Sequence, residues 1–339
     1  MTITVLVTGG AGYIGSHTCR QLIDAGYSVV VLDNFYSGHR WAVPKETTLV
    51  EGDVGDVTLA RETLTQYGID AVIHFAGHIV VPESVANPIK YYRNNTIASC
   101  NLVQACVDVG VDKFIFSSTA AVYGIPTVLP VSEDAVAAPI NPYGMSKLAT
   151  EWILRDVAAS LDGQQNKGGF RYMALRYFNV AGARLDGTLG QATPEATHLI
   201  RVAAEAACGM RDSITIFGTD YPTEDGTCVR DYIHVDDLAM AHLAALTYLI
   251  DGGKSQTLNC GYGIGFSVRQ VLDTIQNVSN TELNIREGPR RSGDPPSLIA
   301  NAQRIRDTLG WRPQHQDISV ICRSAYNWEK SRSNTPTRR

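Results

Sequence analysis

The chain has 339 residues, 44% of them apolar and 19% charged, a globular composition too hydrophobic for a disordered chain and long enough for two domains or one enlarged domain. Its formal charge of −5, from 29 Lys and Arg against 34 Asp and Glu, leaves no electrostatic footprint for DNA or RNA, so an anionic ligand must be held by a few placed cations. The 7 cysteines include no C-x-x-C pair and read as reduced thiols, which excludes a disulfide framework and a cysteine-rich zinc site.

From Met1 the chain runs directly into a strand-like segment without a basic and apolar leader, so no secretory signal is expected. Short Val- and Ile-rich runs then alternate with longer helical patterns. Strands are predicted at Thr4–Thr8, Ser28–Leu32, Thr48–Glu51, Ala71–His74, Lys113–Ser117 and Tyr172–Arg176, and helices at Tyr13–Ala25, Thr58–Tyr67, Ile97–Val109 and Tyr143–Ala159. Continuously apolar strands such as Val29 to Leu32 belong to a parallel sheet with helices on both faces. Past residue 178 the pattern loosens into a Gly-rich stretch from Gly182 to Gly190, a helix near Thr197–Cys208, and a loop with Gly218, Pro222 and Gly226. A helix at Val235–Ile250 and a strand at Gln256–Cys260 can return to the sheet.

The expected fold is therefore α/β, a doubly wound parallel sheet formed by 1–178 and about 234–260, with a smaller interleaved substrate-binding domain formed by about 179–233 and 261–330. Residues 331–339 read as a frayed polar tail. The longest apolar stretch, Leu238 to Ile250, is 13 residues against the roughly 20 that span a bilayer, so the chain is expected to be soluble, cytoplasmic and without membrane contact.

The first predicted strand runs into Thr8-Gly9-Gly10-Ala11-Gly12-Tyr13-Ile14-Gly15 at the start of a helix. Glycines there permit the tight turn, the approach of a pyrophosphate to the backbone and close packing of helix on strand, as in a Rossmann-type dinucleotide site. The phosphates lie at the helix N-terminus, where free N–H groups and the helix dipole favour negative charge. Asp33, at the end of the next strand, offers a carboxylate to the ribose hydroxyls and repels a 2′-phosphate, so NAD is favoured over NADP.

The second motif is Tyr143-Gly144-Met145-Ser146-Lys147, which places Tyr143 and Lys147 one turn apart on one helix face, after a strand whose end carries Ser117-Ser118-Thr119. A free phenol titrates near 10, but an ammonium about 5 Å away at an effective dielectric of about 20 lowers it by a little over two units. The positive nicotinamide ring of oxidised NAD adds to this, and together they are expected to bring Tyr143 close to neutrality as a general base, with Thr119 binding the reacting oxygen. Glu151, further along the same helix, is expected to be a solvated carboxylate. Asp236 and Asp237, beside His234, read as a helix N-cap rather than metal ligands.

These segments, with His74-Phe75-Ala76-Gly77, Phe116 to Gly124, Leu175 to Ala183, and Ile216-Phe217-Gly218-Thr219-Asp220-Tyr221-Pro222-Thr223-Glu224-Asp225-Gly226-Thr227 running on to Val235, resemble the UDP-glucose 4-epimerase family of extended short-chain dehydrogenases/reductases. The resemblance extends to about Trp328. It implies an isomerase that interconverts UDP-galactose and UDP-glucose through oxidation at C4, rotation of the 4-keto sugar and re-reduction, with NAD as cofactor and a homodimer packed through Ile97–Val109 and Tyr143–Ala159. Carried onto this sequence, the cofactor contacts are Gly9, Gly12, Tyr13, Ile14, Gly15, Asp33, Asn34, Asp53, Val54, Phe75, Ala76, Asn94, Tyr143, Lys147 and Phe178. The substrate contacts are Thr119, Tyr143, Asn179, His198, Leu199, Phe217, Arg230, Arg291, Asp294 and Leu298, the two arginines meeting the diphosphate.

The sequence departs from the family pattern at three positions. Ile79 stands where some members carry a lysine near the cofactor, and His198 stands where some have asparagine. Leu298 stands between the tyrosine that narrows and the cysteine that widens the sugar pocket, so N-acetylated hexoses are expected to fit. Epimerases of UDP-glucuronate or UDP-pentoses remain alternatives. A 4,6-dehydratase needs an Asp-Glu pair where this chain has Ala120 and Ala121.

Overall fold

The computed structural model describes residues 2–162, 169–194, 197–291 and 293–333. In chain order it contains β1 (Thr4–Thr8), α1 (Tyr13–Asp24), β2 (Ser28–Asp33), β3 (Thr48–Glu51), α2 (Val57–Gln66), β4 (Ala71–His74), α3 (Val81–Ala86), α4 (Pro88–Tyr91), α5 (Ala98–Val109), β5 (Lys113–Thr119) and α6 (Pro142–Leu161). There follow β6 (Arg171–Tyr177), β7 (Asn179–Ala181), α7 (Leu199–Ala207), β8 (Ile214–Phe217), β9 (Val229–His234), α8 (Val235–Ile250), β10 (Gln256–Cys260) and β11 (Gly265–Ser267). The chain closes with α9 (Val268–Ser279), β12 (Ile285–Gly288), β13 (Ser297–Leu298), α10 (Gln303–Leu309) and α11 (Ile318–Ser333).

Seven strands form one sheet in the order β10-β6-β5-β4-β1-β2-β3, every pairing parallel. The order reverses between β1 and β4, which opens a crevice at the carboxyl ends of the strands, where ligands of such sheets bind. Successive strand residues point to opposite faces, so one strand feeds two cores. Val5, Val7, Val31, Ile73 and Ile115 pack with Leu22 of α1 and Leu246 of α8, whereas Leu6, Val30, Val72 and Phe114 pack with Leu64 of α2 and Leu102 of α5.

The first core continues without a break into the second lobe through Ile216, Leu272, Leu298 and Ile321. That lobe contains a four-stranded sheet of β7, β9, β11 and β13 and a parallel pair of β8 with β12. A shared core joins the lobes, and Tyr13 on α1 adds a bond by donating to the Gly182 carbonyl at 2.6 Å.

Several boundaries differ from expectation. β5 runs on to Thr119, and a helical region precedes α5, with a wide π turn over Tyr92–Ile97. Such turns cluster at functional sites, and this one carries Asn94 and Asn95. The predicted tail is corrected as well: residues 331–333 are the last turn of α11, whose Trp328 is buried, while 334–339 lie outside the described residues.

Candidate active site

The β1-α1 turn has no room for side chains at two of its glycines. Gly9 has φ +71°, and a Cβ there would stand 2.7 Å from the Ala76 nitrogen; at Gly15 it would stand 2.2 Å from the Gly9 carbonyl oxygen. Gly12 occupies the N-cap of α1, which has no side-chain cap, so the first amides of the helix are left to an incoming anion. Asp33 closes the turn from the side, accepting from the Ala11 amide at 2.9 Å and the Phe35 amide at 2.8 Å. Burial raises its carboxyl above the usual range while those two amides oppose the shift. A cradle of this shape with a carboxylate at its rim fits a dinucleotide.

Around it, Asn34 donates to Asp53 at 3.1 Å and Val54 is buried. A groove of about 650 Å³ is lined by Asp53, His78, Lys90, Arg93 and Asn94. The Tyr13 hydroxyl is committed to Gly182, so it is the Tyr13 backbone at the helix start, next to Ile14, that faces the anion position.

The catalytic candidates come together at the end of β5. Asn141 caps α6 by accepting from the Gly144 amide at 2.9 Å. A Cβ on Gly144 would meet the Ala121 carbonyl oxygen at 2.7 Å, so this glycine lets the start of α6 press against the turn that follows Thr119. Thr119 accepts from the Ala121 amide at 3.1 Å, which leaves its hydroxyl proton for Tyr143, its hydrogen-bond partner. Lys147 is buried, donates to the Ser117 carbonyl at 2.8 Å and lies 4.9 Å over the Phe116 ring.

Burial pushes the Lys147 ammonium down to about 8. Burial raises the Tyr143 phenol, because desolvation disfavours the phenolate, and the Thr119 hydroxyl opposes that shift. The downward shift expected of Tyr143 belongs to the site with Lys147 and a nicotinamide ring together.

The second lobe holds the remaining candidates. Arg291 donates to Asp294 at 2.9 Å and lies 5.0 Å over the Phe217 ring, and Arg230 approaches the other Asp294 oxygen at 3.9 Å. One carboxylate thus spaces two guanidinium groups. Leu298 is paired in register with Arg230, and Asn179 begins β7 beside Tyr232. His198 precedes Leu199 at the start of α7, and burial lowers its imidazole to about 4. Phe178 is buried at the end of β6, and Phe75 follows β4.

Several residues escaped sequence reasoning. Gln191 reaches His198 Nδ1 at 2.7 Å. Asn95 accepts from the His78 amide at 2.8 Å, and its amide group donates to the His78 carbonyl at 3.0 Å and to Ser146 at 3.1 Å, which ties the π turn to the catalytic helix. The paired Asn94-Asn95 in a helical pattern is the signal that was available. Glu151 is corrected: it is 5% exposed and paired at two points with Arg176, not solvated. The cap of α8 is corrected too, since His234 accepts from the Asp236 amide at 3.1 Å, while Asp236 itself pairs with His17 at 2.7 Å.

Residues 5–261 match the model of the NAD dependent epimerase/dehydratase family. A UDP-glucose 4-epimerase of Azospirillum brasilense is 55% identical over 327 residues, covering 96% of this chain and 92% of that protein. The crystal structure of UDP-glucose 4-epimerase from Brucella ovis in complex with NAD is similar at a TM-score of 0.92 and 43% identity, over 97% of this chain and 99% of that one. The UDP-Glc/GlcNAc 4-epimerase from Campylobacter jejuni is similar at a TM-score of 0.83 and 48% identity, over 97% and 99% of the two chains.

Proposed function

The chain belongs to the NAD dependent epimerase/dehydratase family, and we propose that it interconverts UDP-galactose and UDP-glucose by inverting C4 of the hexose. The observation that carries this reading is the cluster of Thr119, Tyr143 and Lys147 where β5 ends and α6 begins, and the pair of Arg230 and Arg291 spaced by Asp294 in the second lobe supports it.

NAD, held by Gly9, Gly12, Gly15, Asp33, Asn34, Asp53 and Lys147, supplies the hydride acceptor and donor for C4. Tyr143 removes the proton of the 4-hydroxyl in the outward half and restores it in the return half. The single hydroxyl proton of Thr119 goes to Tyr143 before substrate binds, which favours the phenolate, and turns to the sugar oxygen once substrate is bound. The Lys147 ammonium adds positive charge at the base of the site once an anionic cofactor favours its charged form. Arg230 and Arg291 grip the diphosphate throughout, which leaves the hexose free to turn over and present its opposite face.

Ala120 and Ala121 disfavour a 4,6-dehydratase, since neither supplies an acid or base for elimination. Turnover of UDP-N-acetylhexosamines is a second reading, supported by Leu298 at the position that by resemblance bounds the sugar pocket and by the C. jejuni relative's two named sugars. Ile97 and Trp152, 54% and 46% exposed on or beside α5 and α6, support a homodimer through those helices. Among the described residues no helix is long and apolar enough to cross a membrane, in keeping with a cytoplasmic enzyme. The test is conversion of UDP-galactose to UDP-glucose by the purified protein without added NAD, together with the Tyr143→Phe variant. Full activity in that variant would refute the catalytic assignment.

A further inference from the structure

Behind Lys147 lies a chain of hydrogen bonds to which the motifs assign no role. His242, on α8, places Nδ1 2.8 Å from the Leu238 carbonyl oxygen, and its Nε2 meets the Tyr177 hydroxyl at the end of β6. The Ser117 side chain is the second partner of that hydroxyl. The carbonyl of the same Ser117 holds Lys147. His242 is fully buried, and its ring packs 4.7 Å from Phe75, a candidate cofactor contact.

Chemistry permits one direction of donation through this chain. The Leu238 carbonyl can only accept, so Nδ1 of His242 carries the proton. Burial keeps the ring neutral, so Nε2 is left as an acceptor and the Tyr177 hydroxyl must donate to it. Its proton is then committed, and Tyr177 can only accept from Ser117. The Ser117 hydroxyl therefore points its proton away from the site and keeps lone pairs for it, while its carbonyl stays on Lys147.

We infer that Tyr177 and His242 are positioning residues of the proposed epimerase reaction, acting through Ser117 to hold the end of β5 against Lys147. The inference rests on that proposed reaction for its consequence, but the bond chain itself does not. Tyr177, His242 and Lys147 are buried, so a partner lost at any of them is not cheaply replaced by solvent.

The test has two arms on the full chain with its bound NAD. Ring nitrogen-15 NMR, with the His242 signals identified by their loss in His242→Gln, is expected to show a neutral ring protonated at Nδ1; an Nε2-protonated or charged ring overturns the inference. In the second arm, Tyr177→Phe, His242→Leu and Ser117→Ala each lower kcat about tenfold while KM for UDP-galactose stays within about twofold. His242→Gln, which keeps an acceptor for Tyr177, stays within about threefold of the unaltered protein. Unaltered kcat in Tyr177→Phe and Ser117→Ala overturns the positioning role. If Tyr177→Phe or His242→Leu does not fold, Ser117→Ala alone decides, because it leaves the buried pair intact. Failure of the unaltered protein to turn over UDP-galactose refutes the proposed reaction and leaves the NMR result readable.

Discussion

Glu151 and Arg176 form a two-point ion pair inside the molecule, with Nη2 to Oε2 at 2.7 Å and Nε to Oε1 at 3.0 Å. Ser118 donates to the same carboxylate, and Arg176 also donates to the Tyr123 hydroxyl at 2.9 Å, which in turn donates to Asn259 at 2.6 Å. The catalytic helix is thereby tied through β6 to β10. Arg176→Met strands a buried carboxylate and should cost about 3–5 kcal/mol of stability, whereas Glu151→Leu with Arg176→Met should recover most of it. Urea denaturation of the three proteins checks this, and equal loss in the single and double variants would contradict it.

The glycines of the first turn should differ sharply in tolerance. A Cβ at Gly15 would lie 2.2 Å from the Gly9 carbonyl oxygen, whereas at Gly12 its nearest neighbour is at 3.2 Å. Gly15→Ala forces the turn open and should be purified without bound NAD and with a lowered Tm. Gly12→Ala should fold with a Tm near that of the unaltered protein. The cofactor absorbance released on denaturation, measured beside the melting curve, separates the two.

Arg230 and Arg291 should act on binding rather than on chemistry. Removing one fork from the pair spaced by Asp294 takes away charge-assisted bonds of about 1.5–3 kcal/mol, which corresponds to KM rising roughly ten- to a hundredfold. Arg291→Gln should raise KM for UDP-galactose in this way while kcat changes little. A fall in kcat at constant KM would place Arg291 in the chemistry instead.

Acid should destabilise the fold over a defined window. Burial holds His198, His234 and His242 near 4 and His74 near 3, all below the ordinary 6.5. Between those values the unfolded chain binds more protons than the folded one, so stability rises with pH there and is lost as pH falls from 6.5 toward 4. Asp231, pushed up to about 6 by burial, has the opposite sign and offsets part of the loss. Melting curves from pH 7.5 to 4.5 should fall through this window, and His198→Asn should fall less steeply. A flat profile would show that these rings are not held neutral.

The doubly wound sheet was legible in the residues alone, because the apolar runs of β1, β2, β4 and β5 are local signals that survive without knowledge of their neighbours. So were the glycine turn and the Tyr143–Lys147 pair, since both motifs are short and keep their spacing within one element. Boundaries moved where tertiary contacts competed: α11 extends through Ser333 because Trp328 and Ile321 are buried against the body of the protein. Which polar groups share a proton or a charge emerges only from the folded arrangement. Glu151 looks like a solvent-facing helix residue until β6 places Arg176 beneath it, and His242 looks like a packing residue until Tyr177 meets its ring. The same holds for Tyr143, whose phenol is raised by burial and lowered by Thr119, neither of which the spacing of its motif reveals. Hydrogen bonds and desolvation act over a few ångströms in space, and the partners here lie dozens of residues apart in the chain.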